Sequence, residues 1–175
     1  GVRVSKEEWE EQARLVNESV RLLRRLYEVQ ASDFRNLYRG FEIANFAFTF
    51  HYMLGNPLLN EILRRMVDDV ERGKRQRRPY PDLQLGKGAK RLMWLHIVPQ
   101  YDTPVWSLVD DGVNAKVVCD EYSAPYFEEY DEKDFFGSVA RRLICHPSNG
   151  PLERRLRHLL DVARQFDVDG VIHYS

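Results

Sequence analysis

The chain has 175 residues, 43% of them hydrophobic and 30% charged, enough for one sizeable soluble domain with a buried core. Its 26 Lys and Arg nearly cancel its 27 Asp and Glu, so a net charge of -1 gives no overall field that would draw it to nucleic acid or a membrane surface. No apolar run approaches the roughly 20 residues that span a bilayer and "GVRVSKEEWEEQ" has no apolar signal core, so no membrane partner is expected and a cytoplasmic location is.

A capping box opens the first helix: Ser5 stands three residues before Glu8, ahead of apolar Trp9, Ala13, Val16, Val20, Leu23 and Tyr27. Steps of three and four residues put these side chains on one side of a long helix and leave Glu10, Arg14, Arg21, Arg24 and Arg25 on the solvated side. The aromatic-rich run "FEIANFAFTFHYML" at 41–54 lacks strict alternation and reads as a buried helix, with a strand as the alternative. Asn56 and Pro57 supply an N-cap and a first helical residue for a third helix carrying Leu58, Leu59, Ile62, Leu63, Met66, Val67 and Val70.

The segment "RGKRQRRPYPDLQLGKG" at 72–88 interrupts the pattern with prolines, glycines and clustered Lys and Arg; such a loop is either solvated or meets phosphate groups. Beyond it the periodicity changes. "RLMWLHIV" at 91–98 has the look of a strand covered on both faces. Thr103 and Pro104 start a short helix with Val105, Trp106, Leu108 and Val109, and "AKVVCDEY" at 115–122 is a second strand. Two helices follow at 134–145 and 151–166, the latter with Leu152, Leu156, Leu159, Leu160 and Ala163 on one side, before "VDGVIHYS" at 168–175 closes as a third strand. Strands alternating with helices imply a parallel sheet with right-handed crossovers. Three strands are few against a usual roughly 4 to 6, so the sheet is expected to be partial. The expected fold is α/β, a partial flavodoxin-like parallel sheet with an N-terminal helical region. It divides into a helical region at 1–72, a basic linker at 73–89 and the α/β domain at 90–175.

Ligands of open parallel sheets gather beyond the C-terminal ends of the strands. That rule marks His96, Gln100, Tyr101 and Asp102 after the first strand, Asp120, Glu121, Tyr122 and Tyr126 after the second, and His173, Tyr174 and Ser175 after the third. Each has an ordinary structural reading too. His96 inside an apolar strand can be a core histidine, Asp120 and Glu121 can start a turn or cap a helix, and His173 can face either way. With 2 cysteines, Cys119 and Cys145, and no CxxC spacing, neither a disulfide framework nor a self-contained zinc or iron-sulfur site is visible. Cys119 reads as a small core hydrophobe. Cys145 beside His146 could be an activated thiol, although a helix C-terminus disfavours thiolate. GxGxxG, Walker-type, GxSxG and HExxH motifs do not occur.

The order of "NESVRLLRRLYEVQ", a middle helical stretch, "KRLMWLHIVPQYD", "AKVVCDEY" and "ARQFDVDGVIHYS" resembles the C-terminal part of subunits of the 2-hydroxyacyl-CoA dehydratase and benzoyl-CoA reductase family. Its most specific pieces are Asn17 in the first helix, the "HIVPQY" loop and "FDVDGVIHYS". The resemblance implies an iron-sulfur, radical-type acyl-CoA enzyme of two related subunits, which either dehydrates a 2-hydroxyacyl-CoA or reduces the ring of an aromatic acyl-CoA, with an ATP-dependent activator protein that delivers the electron. It implies a four-iron four-sulfur cluster in the complete family subunit, held by three cysteines. Neither Cys119 nor Cys145 matches a ligand position, so no cofactor is expected on this chain alone. The chain is expected to be a fragment or truncated subunit, inactive by itself, that self-associates when its sheet neighbours are missing. Within it the resemblance places His96 as a proton donor and Gln100, Tyr101, His173 and Ser175 against the acyl-CoA substrate.

Two further readings compete. One is a non-catalytic α/β module that binds a partner subunit. The other is a flavodoxin-like binder of a flavin or nucleotide stacked on Tyr101, Trp106 and Tyr122, against which the missing phosphate loop counts.

Overall fold

The computed structural model describes residues 3–32, 38, 42, 46, 49–50, 52–76, 88–96, 99, 103–105, 108–109, 114–121 and 128–174. Helix α1, Lys6–Ser32, starts as its sequence dictates. Ser5 Oγ accepts the Glu8 N–H at 3.2 Å while the Glu8 carboxylate accepts the Ser5 N–H at 2.6 Å, which satisfies two N-terminal donors reciprocally. The backbone bond from Ser5 also pulls the Glu8 carboxyl below its ordinary pKa. Ala13, Val16, Val20, Leu23 and Tyr27 are buried along one side, as the period predicts.

Most of the aromatic run at 41–54 lies outside the described residues; Glu42, Phe46, Thr49, Phe50, Tyr52 and Met53 have helical backbone. Helix α2, Pro57–Gln76, follows, with Asn56 Oδ1 accepting the Leu58 N–H at 2.9 Å as its cap. Leu59, Leu63, Met66, Val67 and Val70 are buried, whereas Leu58 and Ile62, counted with them from sequence, are 57% and 41% exposed. The buried stripe on α2 is therefore narrower than the apolar one. Helix α2 runs four residues beyond position 72, and residues 77–87 of the basic segment lie outside the described residues.

Between α1 and α2 the contact is not purely apolar. Ser19 and Asn60 are fully buried, and the Ser19 hydroxyl meets Asn60 Oδ1 at 2.5 Å while accepting the Gly55 N–H at 3.0 Å. Asn60 Nδ2 donates to the Leu15 carbonyl at 3.0 Å. Gly55, at φ 82, lets the chain turn this close: a Cβ there would stand 2.3 Å from Gln12 Nε2 and 2.7 Å from a Val16 methyl.

The sheet has β1, Lys90–Leu95, flanked by β2, Ala115–Asp120, and β3, Gly170–His173, in the order β2-β1-β3 with both pairs parallel. Helices α3, Phe135–Cys145, and α4, Leu152–Gln165, lie between β2 and β3 in sequence. Met93 and Cys119 pack with α1, α2 and Phe166 in the main core. Trp94 and Val117 pack with Val105, Val109 and Ile172 in a second cluster. Residues adjacent in β1 thus serve different clusters, as strand alternation requires, and the sheet is covered on both faces.

Asp169 fixes where β3 begins. Its carboxylate accepts the Arg91 N–H at 2.9 Å and Lys90 Nζ at 3.0 Å, which lowers its pKa, and its own N–H donates to the Arg91 carbonyl at 2.8 Å. Arg91 in turn reaches the carbonyls of Phe166 at 2.5 Å and Ala31 at 3.3 Å, joining the ends of α4 and α1 to the first turn of the sheet.

The apolar row foreseen on α4 turns out differently. Leu159, Val162 and Ala163 face the core, but Leu152, Leu156 and Leu160 are 65%, 47% and 53% exposed. Leu159 and Val162 fall three apart on the inward side, whereas the i, i+4, i+8 row of leucines winds away from it.

Candidate functional site

A sheet ordered β2-β1-β3 changes direction at β1: the chain moves to one side for β2 and returns to the other for β3. Such an order places the ligand crevice at the C-terminal ends of β1 and β3. His96 and His173 stand there. Strand β1 stops at Leu95, and His96 leaves the ladder with φ 70 instead of continuing the strand as its apolar neighbours imply. Histidine tolerates this left-handed region better than a β-branched residue would. His173 is paired with Leu95 as the last residue of β3, is exposed, and has its ring centroid 5.9 Å from that of His96. His96 Nδ1 is buried and has no hydrogen-bond partner among the described residues.

What holds His96 in this conformation is Glu121. Its side chain is 4% exposed just past β2, and Oε2 accepts the His96 backbone N–H at 3.1 Å. Arg155 Nη2, from α4, lies 2.9 Å from both oxygens of the same carboxylate. The Glu121 N–H bonds the Trp94 carbonyl at 3.2 Å, so the residue is tied to β1 by backbone and side chain alike. A buried carboxylate without such partners would be costly, and here one cation and one amide compensate it. His158, one turn beyond Arg155 on α4, places Nε2 3.4 Å from the Glu121 carbonyl oxygen; burial lowers its pKa more than that contact raises it.

Of the residues marked from sequence, the structure brings His96 and His173 together. Gln100, Tyr101 and Ser175, like Asp102, Trp106, Tyr122 and Tyr126, lie outside the described residues. Asp120 is buried in β2. Glu121 stands in the turn that follows β2, as one of its ordinary readings had it, and also carries the junction. Arg155 and His158 were missed, yet α4 held a signal: Arg155 falls four before Leu159 and seven before Val162, so a cation stands in a core-facing row and calls for a buried acid.

Asn17 makes the second long-range clamp. It is 5% exposed on α1; Nδ2 donates to the Tyr130 carbonyl at 2.9 Å and Oδ1 accepts the Tyr130 N–H at 2.5 Å. One side-chain amide thus substitutes for a strand partner and holds residues 128–130 before α3. Replacing Asn17 by Ala leaves both backbone groups short of partners and is expected to cost about 2 kcal/mol, while Asn17→Asp, which keeps the acceptor but sets a buried carboxylate against the Tyr130 carbonyl, costs at least as much. Urea unfolding checks the ranking, and equal midpoints for all three proteins would refute it.

The thiols do not meet. Cys119 is buried within β2, where burial pushes its pKa up and keeps it protonated, and Cys145 is exposed at the end of α3. The neighbouring His146 does not activate Cys145 in this arrangement: its Nδ1 accepts the Ser148 N–H at 3.1 Å, and burial lowers its pKa. Among the described residues no group of three or more His, Cys, Asp or Glu could hold a metal ion. Cys119 and Cys145 alone, one buried in β2 and one exposed at the end of α3, do not make up the ligand set of an iron-sulfur cluster.

The family model described as 2-hydroxyglutaryl-CoA dehydratase, D-component, matches residues 1–175. The chain belongs to that family. Membership in the 2-hydroxyglutaryl-CoA dehydratase D-component family makes it the kind of chain that serves as a subunit of an acyl-CoA dehydratase. No curated protein and no solved structure was found to match it. Among the described residues no helix is long and apolar enough to cross a membrane.

Proposed function

We propose that this dehydratase-family chain forms part of the acyl-CoA pocket of a 2-hydroxyacyl-CoA dehydratase, with the β1/β3 junction as its wall. The observation that carries the reading is His96: a ring nitrogen buried without a hydrogen-bond partner among the described residues, at the crevice the strand order defines, on a backbone fixed by Glu121 and Arg155. A group so placed can donate a proton to the acyl portion of a bound thioester, and loss of a hydroxyl group as water requires a proton. His173 lines the same junction and shapes the space beside it. Gln100, Tyr101 and Ser175 complete the substrate contacts in this reading. The enzyme system would include a related second subunit, an ATP-dependent activator and an iron-sulfur cluster. The two thiols of this chain do not fit that cluster.

A second reading, a module whose role is to bind a partner subunit, is favoured by the exposed Leu152, Leu156 and Leu160 on α4. Calorimetry on the chain assembled with its partner subunit separates the two. Titration with a 2-hydroxyacyl-CoA thioester is expected to give saturable heat and titration with the free 2-hydroxy acid none. Stable assembly with no thioester binding would replace the pocket by the docking role.

A further inference from the structure

Helices α3 and α4 face each other across a cleft of about 550 Å³, within the size range of small-ligand sites. From α3 the cleft receives Ser138, Arg141, Arg142 and Cys145, and from α4 it receives Arg154, Arg157, His158 and Asp161. Both sets follow i, i+3, i+4, i+7, the spacing that elsewhere makes an apolar stripe. Here the facing stripes carry four arginines. Arg24 of α1 closes one side.

Of the three acids at the cleft, Glu129 and Asp161 are engaged, while Glu128 makes no ion pair among the described residues. Glu129 pairs with Arg21 at 2.7 Å and Arg24 at 3.5 Å, and Asp161 pairs with Arg164 at 3.0 Å. Arg154 spends Nη1 on the carbonyls of Ile144 and Asn149, each at 2.8 Å, and so closes the turn between the helices. Arg142 donates to the Tyr130 hydroxyl at 3.2 Å. Arg141 and Arg157 are exposed, line the cleft from opposite helices, and make no ion pair or hydrogen bond among the described residues. Two guanidinium groups left over in one cleft, with planar donor forks, match the paired oxygens of linked phosphates.

We propose that the cleft between α3 and α4 binds the pyrophosphate of a nucleotide-type ligand, with Arg141 and Arg157 as its principal donors. The cleft adjoins the β1/β3 junction through His158, which lines it and lies 3.4 Å from the Glu121 carbonyl oxygen. A ligand held here by its phosphates would carry its other end toward His96. That last connection rests on the acyl-CoA reading; pyrophosphate binding does not.

The test uses inorganic pyrophosphate, ADP and coenzyme A, titrated by calorimetry into the full chain and into Arg141→Ala, Arg157→Ala and the double variant, none of which needs turnover. All three probes are expected to bind. Each single substitution should weaken binding about tenfold, the value of one charge-assisted hydrogen bond. Arg157→Lys, which keeps the charge but not the fork, should fall between. Cys145, the exposed thiol at the cleft, should be protected from N-ethylmaleimide by each probe in the parent chain, while Cys119 stays unreactive because it is buried. Coenzyme A binding tighter than ADP assigns the handle to an acyl carrier, and equal affinities assign it to a nucleotide; both support the pyrophosphate site. No pyrophosphate binding at millimolar concentration, or equal affinity in the double variant, overturns it. Thioester binding that survives loss of both arginines would overturn the connection of this site to the β1/β3 pocket while leaving that pocket standing.

Discussion

Replacing Arg155 by Ala lowers stability by about 3 kcal/mol, because it strands a buried carboxylate that has no second cation among the described residues. Glu121 is 4% exposed and Arg155 38%, so the acid carries most of the loss. For a chain of this size the unfolding midpoint falls by about 6 to 12 °C. Removing the acid as well relieves part of the cost: Glu121→Gln with Arg155→Ala is expected to be more stable than Arg155→Ala alone, since a neutral amide can still accept the His96 N–H. A double-mutant cycle by thermal and urea unfolding reads the coupling. If Arg155→Ala sits within about 0.5 kcal/mol of the parent, in the range of ordinary surface changes, the buried pair does not organise the junction. The effect should also reach His96, whose backbone depends on the same carboxylate.

Local chemistry made much of the fold legible. Ser5 and Glu8 close as a capping box, Asn56 caps α2, and β1, β2, α3, α4 and β3 follow in the order their patterns announce, while most of the helix read from Thr103 and Pro104 lies outside the described residues. Hydrophobic spacing alone could not say which apolar face is covered. On α4 two rows compete, and the one holding Leu159 and Val162 goes inward because Arg91 and Arg155 tie that side to the sheet. The row of Leu152, Leu156 and Leu160 is as apolar and stays outside. At the site, the rule that ligands gather at strand ends points to His96 and His173, and the strand order explains why those two meet. The partners of Glu121 were not legible, because Arg155 lies 34 residues away and only the return of α4 brings it to β2. Asn17 was noticed for its place in a motif; its work, holding the Tyr130 backbone 113 residues away, depends on tertiary structure.

The second large effect is on turnover. In the enzyme assembled with its partner subunit and activator, His96→Asn is expected to lower kcat about 100-fold with little change in KM, the behaviour of a lost proton donor. Asn is the fitting replacement because it accepts the left-handed backbone at φ 70, where Ala would add strain of its own. Far-UV circular dichroism and the unfolding midpoint should match the parent, which separates a chemical loss from a structural one. Arg155→Lys, by contrast, should shift stability and turnover together, because it acts on His96 through Glu121.

The β1/β3 junction as the place of chemistry is tested most directly by kcat of His96→Asn in that assembled enzyme, measured under substrate saturation. A fall of about two orders of magnitude in a protein that folds like the parent is the predicted result. An unchanged kcat would remove His96 as a proton donor and leave the chain with a docking role.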